Sequence, residues 1–344
     1  MKINELVTVK IEAENQKENA VYASAEQSPF KIYGVFREND GVFHRMPLSV
    51  AKKVSPGVEY LSTNTAGGRI KFRTDSPFVS VYVVLGHYDD RDHFTKLGCC
   101  GMDVYDGVEY KGSCRPGPKH LDTYHATVEL GKGEHEVTIN MPLYSDVREV
   151  YIGLADGSVV SEPREYKFAK ARPVVFYGSS ITQGGCASRP GMSYQAILER
   201  ELDFDYINLG FSGNAKAEDV MIEYLAGLDM SVFVCDYDHN APTPEHLEAT
   251  HEKLFLAVRK AHPDIPIIFM SRPSGTCKVR RGIIENTYNN ALQRGDERVY
   301  IVKPTELNKK NGTVDGCHPT DLGFYFMAND LSPILKRALE DSEK

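Results

Sequence analysis

Two patterns of hydrophobic and polar residues divide the chain near its middle. From about residue 7 to residue 160, apolar and polar residues alternate or β-branched residues run together over short stretches, and turn residues separate these stretches. This pattern is typical of β-strands, and no long helical stripe interrupts it. The stretches are 7–11, 34–36, 69–73, 79–84 and 135–139. They predict an antiparallel β-sandwich, of jelly-roll type, in the first half of the chain.

After Pro173 the pattern changes to alternating strands and helices. The predicted strands are 174–177, 206–209, 232–235, 267–270 and 299–302. The predicted helices are 194–202, 217–225, 244–262, 281–292 and 322–339. Strands that alternate with helices favour a parallel sheet with helices on both faces. The polar segment 161–171 separates the two patterns, so we predict two domains, at residues 1–166 and 167–344.

Composition and charge argue against several classes of partner. The 344 residues include 48 Asp and Glu against 40 Lys and Arg. The formal net charge of -8 argues against nucleic acid as a partner, because phosphate binding needs a basic face. No apolar run approaches the length of a membrane span, and the first residues lack the basic and apolar regions of a signal peptide. We therefore expect a cytoplasmic protein without a membrane partner, and the sequence does not indicate its oligomeric state.

The seven cysteines agree with a reducing compartment. Their number is odd, they form no CxxC pair, and the adjacent Cys99 and Cys100 are poorly placed to bridge one another. We therefore expect free thiols. Cys317 lies between Asp315 and His318, so a nucleophilic thiol is an alternative at this position. Neighbours in sequence are, however, a poor guide to the geometry of a nucleophile and its base.

Polar residues suited to catalysis follow several strands of the second half. The serine pair 179–180 follows the first strand, the glycine-rich segment 210–214 follows the second, and Asn240 lies just after the third. Asp315 and His318 lie between the last strand and the last helix. Because the carboxyl ends of parallel strands meet at one edge of a sheet, we expect these segments to converge there. A serine, an aspartate and a histidine can act together as nucleophile, orienting acid and base.

Each of these residues also has a simpler interpretation. Ser180 can cap the N-terminus of a helix, and Gly213 can serve only in a turn. Asn240 can be an ordinary loop residue, and His318 can lie in a surface turn before the last helix. Arg272 follows the fourth strand at the same predicted edge, where it either contacts substrate or is an ordinary surface arginine. The functional interpretation depends on the joint occurrence of these residues at strand ends.

Four short motifs of the second half resemble, in order, the four sequence blocks of the SGNH hydrolases, the GDSL lipase and esterase superfamily. They are Gly178-Ser179-Ser180-Ile181-Thr182, Gly210-Phe211-Ser212-Gly213-Asn214, Asp238-His239-Asn240 and Asp315-Gly316-Cys317-His318-Pro319. No single block is specific, but four blocks in order at strand ends are a strong signal. The resemblance covers roughly residues 172–340. It implies a flavodoxin-like, three-layer α/β/α catalytic domain.

The resemblance also implies a role for each matching residue. Ser180 corresponds to the nucleophile, His318 to its base and Asp315 to the acid that orients the base. The oxyanion hole would consist of the backbone N–H groups of Ser180 and Gly213 and the side chain of Asn240. Such a site needs neither a metal ion nor an organic cofactor.

The second half departs from this family at two positions. Ser179 stands where the family has the aspartate of its Gly-Asp-Ser block, so the family's order makes the following Ser180 the nucleophile. The third block lacks the common Gly-x-Asn-Asp form, and Asn240 is assigned by its place after the strand.

The first half resembles the β-sandwich domain that precedes some SGNH hydrolases. Gly101-Met102-Asp103-Val104-Tyr105 is similar to the Gly-x-Asp-Leu-Tyr signature of that domain. This pairing implies a subfamily associated with carbohydrate esters more than with lipids. We therefore predict a serine esterase that hydrolyses O-acetyl or other short acyl esters of a small molecule or oligosaccharide through an acyl-enzyme. Two alternatives stay open, an acyltransferase of the same fold and a non-catalytic carbohydrate-binding protein.

Overall fold

The structure is a computed structural model, and it describes residues 1–12, 16–88, 91–117, 122–168, 172–274, 277–307 and 311–343. The chain forms two units. The first comprises Met1–Arg45, Thr63–Glu165 and Ser188–Gly191, and the second comprises Met46–Ser62, Tyr166–Ala187 and Met192–Lys344. The predicted boundary at residue 166 is a single cut. In the structure, Met46–Ser62 comes before it but belongs to the second unit, and Ser188–Gly191 comes after it but belongs to the first. Residues 169–171 of the expected boundary segment lie outside the described residues.

Antiparallel strands make up most of the first unit. They are β1 (Thr8–Val9), β2 (Ala20–Ser24), β3 (Lys31–Tyr33), β4 (Phe36–Arg37), β5 (Phe43–His44), β6 (Arg69–Thr74), β7 (Phe78–Tyr88), β8 (Met102–Asp106), β9 (Glu109–Cys114), β10 (Thr123–Glu129), β11 (His135–Asn140), β12 (Ser145–Ala155) and β13 (Val160–Ser161). One sheet has the order β1-β2-β12-β7-β10, and another has the order β13-β6-β11-β8-β9 with β3 also paired to β6. The predicted antiparallel first half is confirmed, and its jelly-roll type stays a prediction.

The strand expected at residues 34–36 is wrong. β3 ends before Gly34, and β4 begins only at Phe36. Gly34 has a φ of +76°, in the left-handed region that favours glycine, and a side chain here would collide with the carbonyl of Gly67. The glycine therefore marks a turn between two short strands, although its neighbours have strand-like side chains.

Short helices interrupt the strands, although the sequence shows no long helical stripe in this half. Two short helices, α1 (Leu48–Val54) and α2 (Pro56–Ser62), lie between β5 and β6, and α3 (Lys96–Cys100) precedes β8. α1 and α2 have seven residues each, which is too short for a stable isolated helix. Ala51, Val58 and Leu61 lie in the hydrophobic core of the second unit. Tertiary packing, rather than a local pattern, therefore stabilises these helices.

The Gly-x-Asp-x-Tyr motif of β8 binds the segment Ser188–Gly191. One carboxylate oxygen of the fully buried Asp103 accepts a hydrogen bond from Asn140 Nδ2 at 2.9 Å, and the other accepts one from the backbone N–H of Gly191 at 2.9 Å. A Cβ atom on Gly191 would lie 2.6 Å from the ring of Tyr105, so only glycine fits against the motif. The motif residues Asp103 and Tyr105 therefore hold this segment in the first unit.

Replacing Asp103 by alanine is expected to destabilise the protein by about 2–4 kcal/mol. The change leaves two buried donors, Asn140 Nδ2 and the N–H of Gly191, without their acceptor, and each such loss costs about 1–3 kcal/mol. Urea unfolding followed by circular dichroism measures the difference. Glu109→Ala is the matched control, because the exposed Glu109 pairs with Lys111 and its loss is expected to cost less than about 1 kcal/mol. Equal midpoints for the two variants would contradict the assigned role of Asp103.

A parallel sheet forms the centre of the second unit. Its strands are β14 (Val174–Gly178), β15 (Tyr206–Gly210), β16 (Val232–Asp236), β17 (Ile267–Phe269) and β18 (Val299–Ile301). Their spatial order is β15-β14-β16-β17-β18, and all neighbours are parallel. Numbered within this unit the order is 2-1-3-4-5, which is the flavodoxin-like order. The predicted α/β class is confirmed, and each predicted strand agrees with the observed one within one residue at each end.

Helices cover both faces of this sheet. They are α4 (Ser180–Gln183), α5 (Tyr194–Leu202), α6 (Asp219–Ala226), α7 (Pro244–Ala261), α8 (Lys278–Gln293) and α9 (Asp321–Ser342). Val175 and Tyr177 of β14 lie in one hydrophobic core with residues of α6, α7 and α8. The intervening Phe176 instead contacts Tyr194 of α5, whose ring stacks on Phe324 of α9. No helix in the described parts of the chain combines the length and the apolar character needed to cross a membrane.

Candidate active site

The end of β14 places two serines in different roles. All five residues of β14 are buried, and a side chain on its last residue, Gly178, would collide with Thr182 and with the carbonyl of Asp236. Ser179 is the N-cap of α4, because its Oγ accepts a hydrogen bond from the N–H of Ile181 at 3.2 Å. Ser180 is the first residue of α4. The capping role considered for Ser180 therefore belongs to Ser179.

Ser180, His318 and Asp315 form one chain of hydrogen bonds. Ser180 Oγ lies 2.9 Å from His318 Nε2, and His318 Nδ1 lies 2.7 Å from Asp315 Oδ2. Because an ionised carboxylate only accepts hydrogen bonds, Nδ1 carries the proton and Nε2 is left to accept the proton of the serine hydroxyl. The structure therefore brings together the three residues that the sequence analysis singled out at distant positions.

The tight turn before α9 fixes the carboxylate of Asp315. Besides the histidine ring, Asp315 Oδ1 accepts hydrogen bonds from the backbone N–H groups of Cys317 at 2.9 Å and His318 at 2.7 Å. Partial desolvation on its own would raise the pKa of Asp315, but the hydrogen bonds from the His318 ring and from these two N–H groups outweigh it and lower the pKa to about 2. Asp315 is therefore ionised at neutral pH.

Gly213 and Asn240 lie in two loops that contact one another. Gly213 is exposed with a φ of +71°, and its N–H has no acceptor among the described residues. Asn240 Oδ1 accepts a hydrogen bond from the N–H of Ala215 at 3.4 Å, and this leaves Asn240 Nδ2 without an acceptor within the described ranges. The loop of Gly213 is tied to α4, since the N–H of Ser212 donates to Gln183 Oε1 at 3.0 Å. Two of the three predicted oxyanion donors, the N–H of Gly213 and Asn240 Nδ2, thus have no acceptor within the described residues.

His239 and Cys317 form a contact beside this site that the sequence did not predict. The two residues are 78 positions apart, and Cys317 Sγ lies 3.1 Å from His239 Nε2. Burial raises the pKa of the Cys317 thiol, so the sulfur is a poor nucleophile at neutral pH. The alternative of a nucleophilic Cys317 is therefore disfavoured. All seven cysteines lie in the described part of the chain, and none forms a disulfide bond.

Two buried carboxyl groups lie below this edge of the sheet. Asp236, at the end of β16, accepts a hydrogen bond from Thr182 Oγ1 at 3.1 Å, and burial raises its pKa well above the usual value. Asp238 accepts hydrogen bonds from Ser271 Oγ at 3.2 Å and from the backbone N–H of Arg272 at 3.1 Å. These contacts fix the segment after β17, which carries Arg272. In the sequence, Asp236 was marked only by its place after the predicted strand, and Asp238 also by its place in the third motif.

Two family models match consecutive parts of the chain. Residues 171–336 match the GDSL-like lipase/acylhydrolase family, and residues 20–160 match a domain described as the N-terminus of SGNH-hydro-type esterases. Both resemblances predicted from the sequence are confirmed. No curated protein was found to match the sequence.

Several solved structures are similar to nearly the whole chain. A protein from Bacteroides ovatus described as a GDSL-like lipase is 29% identical, with 94% of this chain and 98% of that chain covered and a TM-score of 0.82. A salicylyl-acyltransferase from a tetracycline biosynthetic pathway is 17% identical, with 92% and 96% covered and a TM-score of 0.73. A family two carbohydrate esterase from Clostridium thermocellum, in complex with cellohexaose, is 17% identical, with 81% and 94% covered and a TM-score of 0.60. The last two similarities concern the fold alone.

Proposed function

We propose that this chain, whose residues 171–336 match the GDSL-like lipase/acylhydrolase family, is a serine esterase acting on short acyl esters, foremost O-acetyl groups, of carbohydrates. The observation that carries this proposal is the hydrogen-bond chain from Ser180 Oγ through His318 to Asp315, with distances of 2.9 and 2.7 Å. This is the arrangement that activates a serine hydroxyl for attack on a carbonyl carbon.

The proposed reaction begins with attack of Ser180 Oγ on the ester carbonyl. A serine hydroxyl is a weak nucleophile unless a base takes its proton during the attack, and His318 Nε2 accepts that proton. The imidazolium that forms is stabilised by the ionised Asp315, which also keeps the ring in the required tautomer. His318 then protonates the leaving alcohol, and water attacks the acyl-enzyme with the same histidine as base. The proposal involves no metal ion or organic cofactor.

The negative charge of the tetrahedral intermediate needs hydrogen-bond donors. We assign this role to the backbone N–H groups of Ser180 and Gly213 and to Asn240 Nδ2. Support comes from the unused donors of Gly213 and Asn240, whose loops are joined through Ala215. Preorganised donors of this kind stabilise the transition state because they need no reorientation during the reaction.

Replacing Asn240 by alanine is expected to lower kcat by about 10²–10³-fold, with a much smaller change in KM, because an oxyanion donor acts mainly in the transition state. Steady-state hydrolysis of 4-nitrophenyl acetate measures this. Asn286→Ala is the matched control, since Asn286 is an exposed residue of α8. A loss below about threefold for Asn240→Ala would remove Asn240 from the oxyanion hole.

The carbohydrate substrate is supported by the fold shared with a carbohydrate esterase that was solved with cellohexaose. Acetate release from acetylated xylo-, manno- and pectic oligosaccharides tests this choice, and turnover of aryl acetates without turnover of any acetylated sugar would contradict it. An acyltransferase is the second candidate, because a salicylyl-acyltransferase shares the fold over most of this chain. Transfer of the acyl group to an added alcohol, faster than hydrolysis, would favour this candidate. The cytoplasmic location stays a prediction from the sequence.

A further inference from the structure

Two arginines form hydrogen bonds with Asp238, the residue that precedes His239. Arg272 follows β17, and its backbone N–H donates to Asp238 Oδ1 at 3.1 Å. Arg280 lies in the first turn of α8, and its Nη1 donates to the backbone carbonyl of Asp238 at 2.6 Å. Both side chains are half-buried. We call Arg272 and Arg280 the arginine pair.

The arginine pair lies close to the proposed catalytic residues. Asp238 is followed by His239, whose Nε2 lies 3.1 Å from Cys317 Sγ, and Cys317 is the neighbour of His318 in the turn that holds the hydrogen-bond chain. The electrostatic effect of the arginine pair on His239 agrees with this proximity. The pKa of His239 is lowered to about 4, mainly by burial, with contributions from the positive charges of Arg272 and Arg280. The positive charges of both guanidinium groups are therefore felt at His239, beside the proposed catalytic residues.

Neither guanidinium of the arginine pair forms an ion pair with a carboxylate within the described residues. Other arginines of the same unit do, as Arg259 does with Asp296 and Arg281 with Glu285. The buried carboxyl of Asp238 accepts a hydrogen bond from the backbone N–H of Arg272, and the positive charges of both arginines act on it without an ion pair. In a chain with a formal net charge of -8, two guanidinium groups that form no ion pair within the described residues add positive charge at one site.

We infer that the arginine pair binds a carboxylate on the substrate, so that the preferred substrates are acyl esters of acidic sugars such as uronic acids. The planar guanidinium presents parallel N–H donors that match the two oxygens of a carboxylate. Half-burial strengthens such a contact, because water competes less for the donors. This inference rests on the proposed esterase function and adds the charge of the sugar to it.

The test compares three esters. An acetylated oligogalacturonate carries free carboxylates, the same oligosaccharide with methyl-esterified carboxyl groups carries none, and 4-nitrophenyl acetate reports the chemistry alone. We expect the wild-type kcat/KM to be about 10–100-fold higher for the acidic oligosaccharide than for its methyl ester, the size of one or two charge-assisted hydrogen bonds. The preference is expected to shrink as salt concentration rises, because salt screens partly exposed charges.

Arg272→Gln and Arg280→Gln are each expected to lower this ratio about tenfold, mainly through KM. Arg280→Lys keeps a charge without the guanidinium and is expected to fall between Arg280→Gln and wild type. Arg281→Gln is the matched control, since Arg281 is the next residue of α8 and pairs with Glu285. Equal kcat/KM for the two oligosaccharides, or an equal loss on both in the variants, would overturn the inference while hydrolysis of 4-nitrophenyl acetate upholds the esterase. Absence of hydrolysis with all three esters would overturn the esterase proposal itself.

Discussion

Replacing Ser180 by alanine is expected to lower kcat for acetate esters by roughly 10⁵-fold, because it removes the hydroxyl whose proton His318 Nε2 accepts. His318 Nε2 lies 2.9 Å from Ser180 Oγ, whereas the hydroxyl of Ser179 is engaged with the N–H of Ile181. Steady-state hydrolysis of 4-nitrophenyl acetate measures the loss, and circular dichroism checks that the variant is folded.

The neighbouring serine supplies the control for this prediction. Ser179→Ala removes the N-cap of α4, which is expected to cost about 1 kcal/mol of unfolding free energy, and it leaves the pair of Ser180 and His318 in place. Most of the activity is therefore expected to remain. If Ser179→Ala abolishes hydrolysis and Ser180→Ala does not, the assignment of the nucleophile is wrong.

Replacing Asp315 by asparagine is expected to lower kcat by about 10³–10⁴-fold. An amide can present its NH₂ group to Nδ1 of His318, which favours the tautomer whose Nε2 carries the proton and cannot accept that of Ser180. The same assay measures the loss. Asp264→Asn, at an exposed carboxyl, is the control and is expected to retain full activity. A loss below about tenfold for Asp315→Asn would contradict the orienting role.

The pKa of Asp315 adds a pH dependence to this variant. Because the folded state lowers this pKa from 3.8 to about 2, the carboxylate stabilises the fold fully above pH 3.8, and this contribution is lost as pH falls through 2. The rate profile of the wild type should therefore show no inflection from Asp315 between pH 4 and 9. In acid unfolding, Asp315→Asn should lack the part of the slope below pH 3.8 that this carboxylate contributes. The same slope in both proteins would contradict the lowered pKa.

The parallel half was predictable because buried parallel strands leave a strong local pattern. The run 174–177 is wholly apolar and aromatic and ends at a glycine, and β14 covers Val174–Gly178. In the antiparallel half, the helices Leu48–Val54 and Pro56–Ser62 escaped prediction, because two turns carry too few residues for a helical period. Their burial depends on residues of the second unit, which no local window includes.

The candidate site was predictable where motifs lie at strand ends, and less so where side chains meet over long distances in sequence. Ser180, Asp315 and His318 come from two motifs and meet through hydrogen bonds. Ser179 gains an explanation only from the structure, because its side chain caps α4, a role that aspartate fills equally well in other helices. The contact of His239 with Cys317, and the place of Arg280 at Asp238, had no sequence signal.

Labelling with a fluorophosphonate, followed by peptide mapping, tests the central claim most directly. The reagent phosphonylates only a serine activated by a neighbouring base, so it reports the chemistry without a choice of substrate. The account predicts one adduct per chain, located on Ser180, absent in Ser180→Ala and formed far more slowly in Asp315→Asn. An adduct on Ser179 or Cys317, or no adduct on the folded wild-type protein, would contradict it.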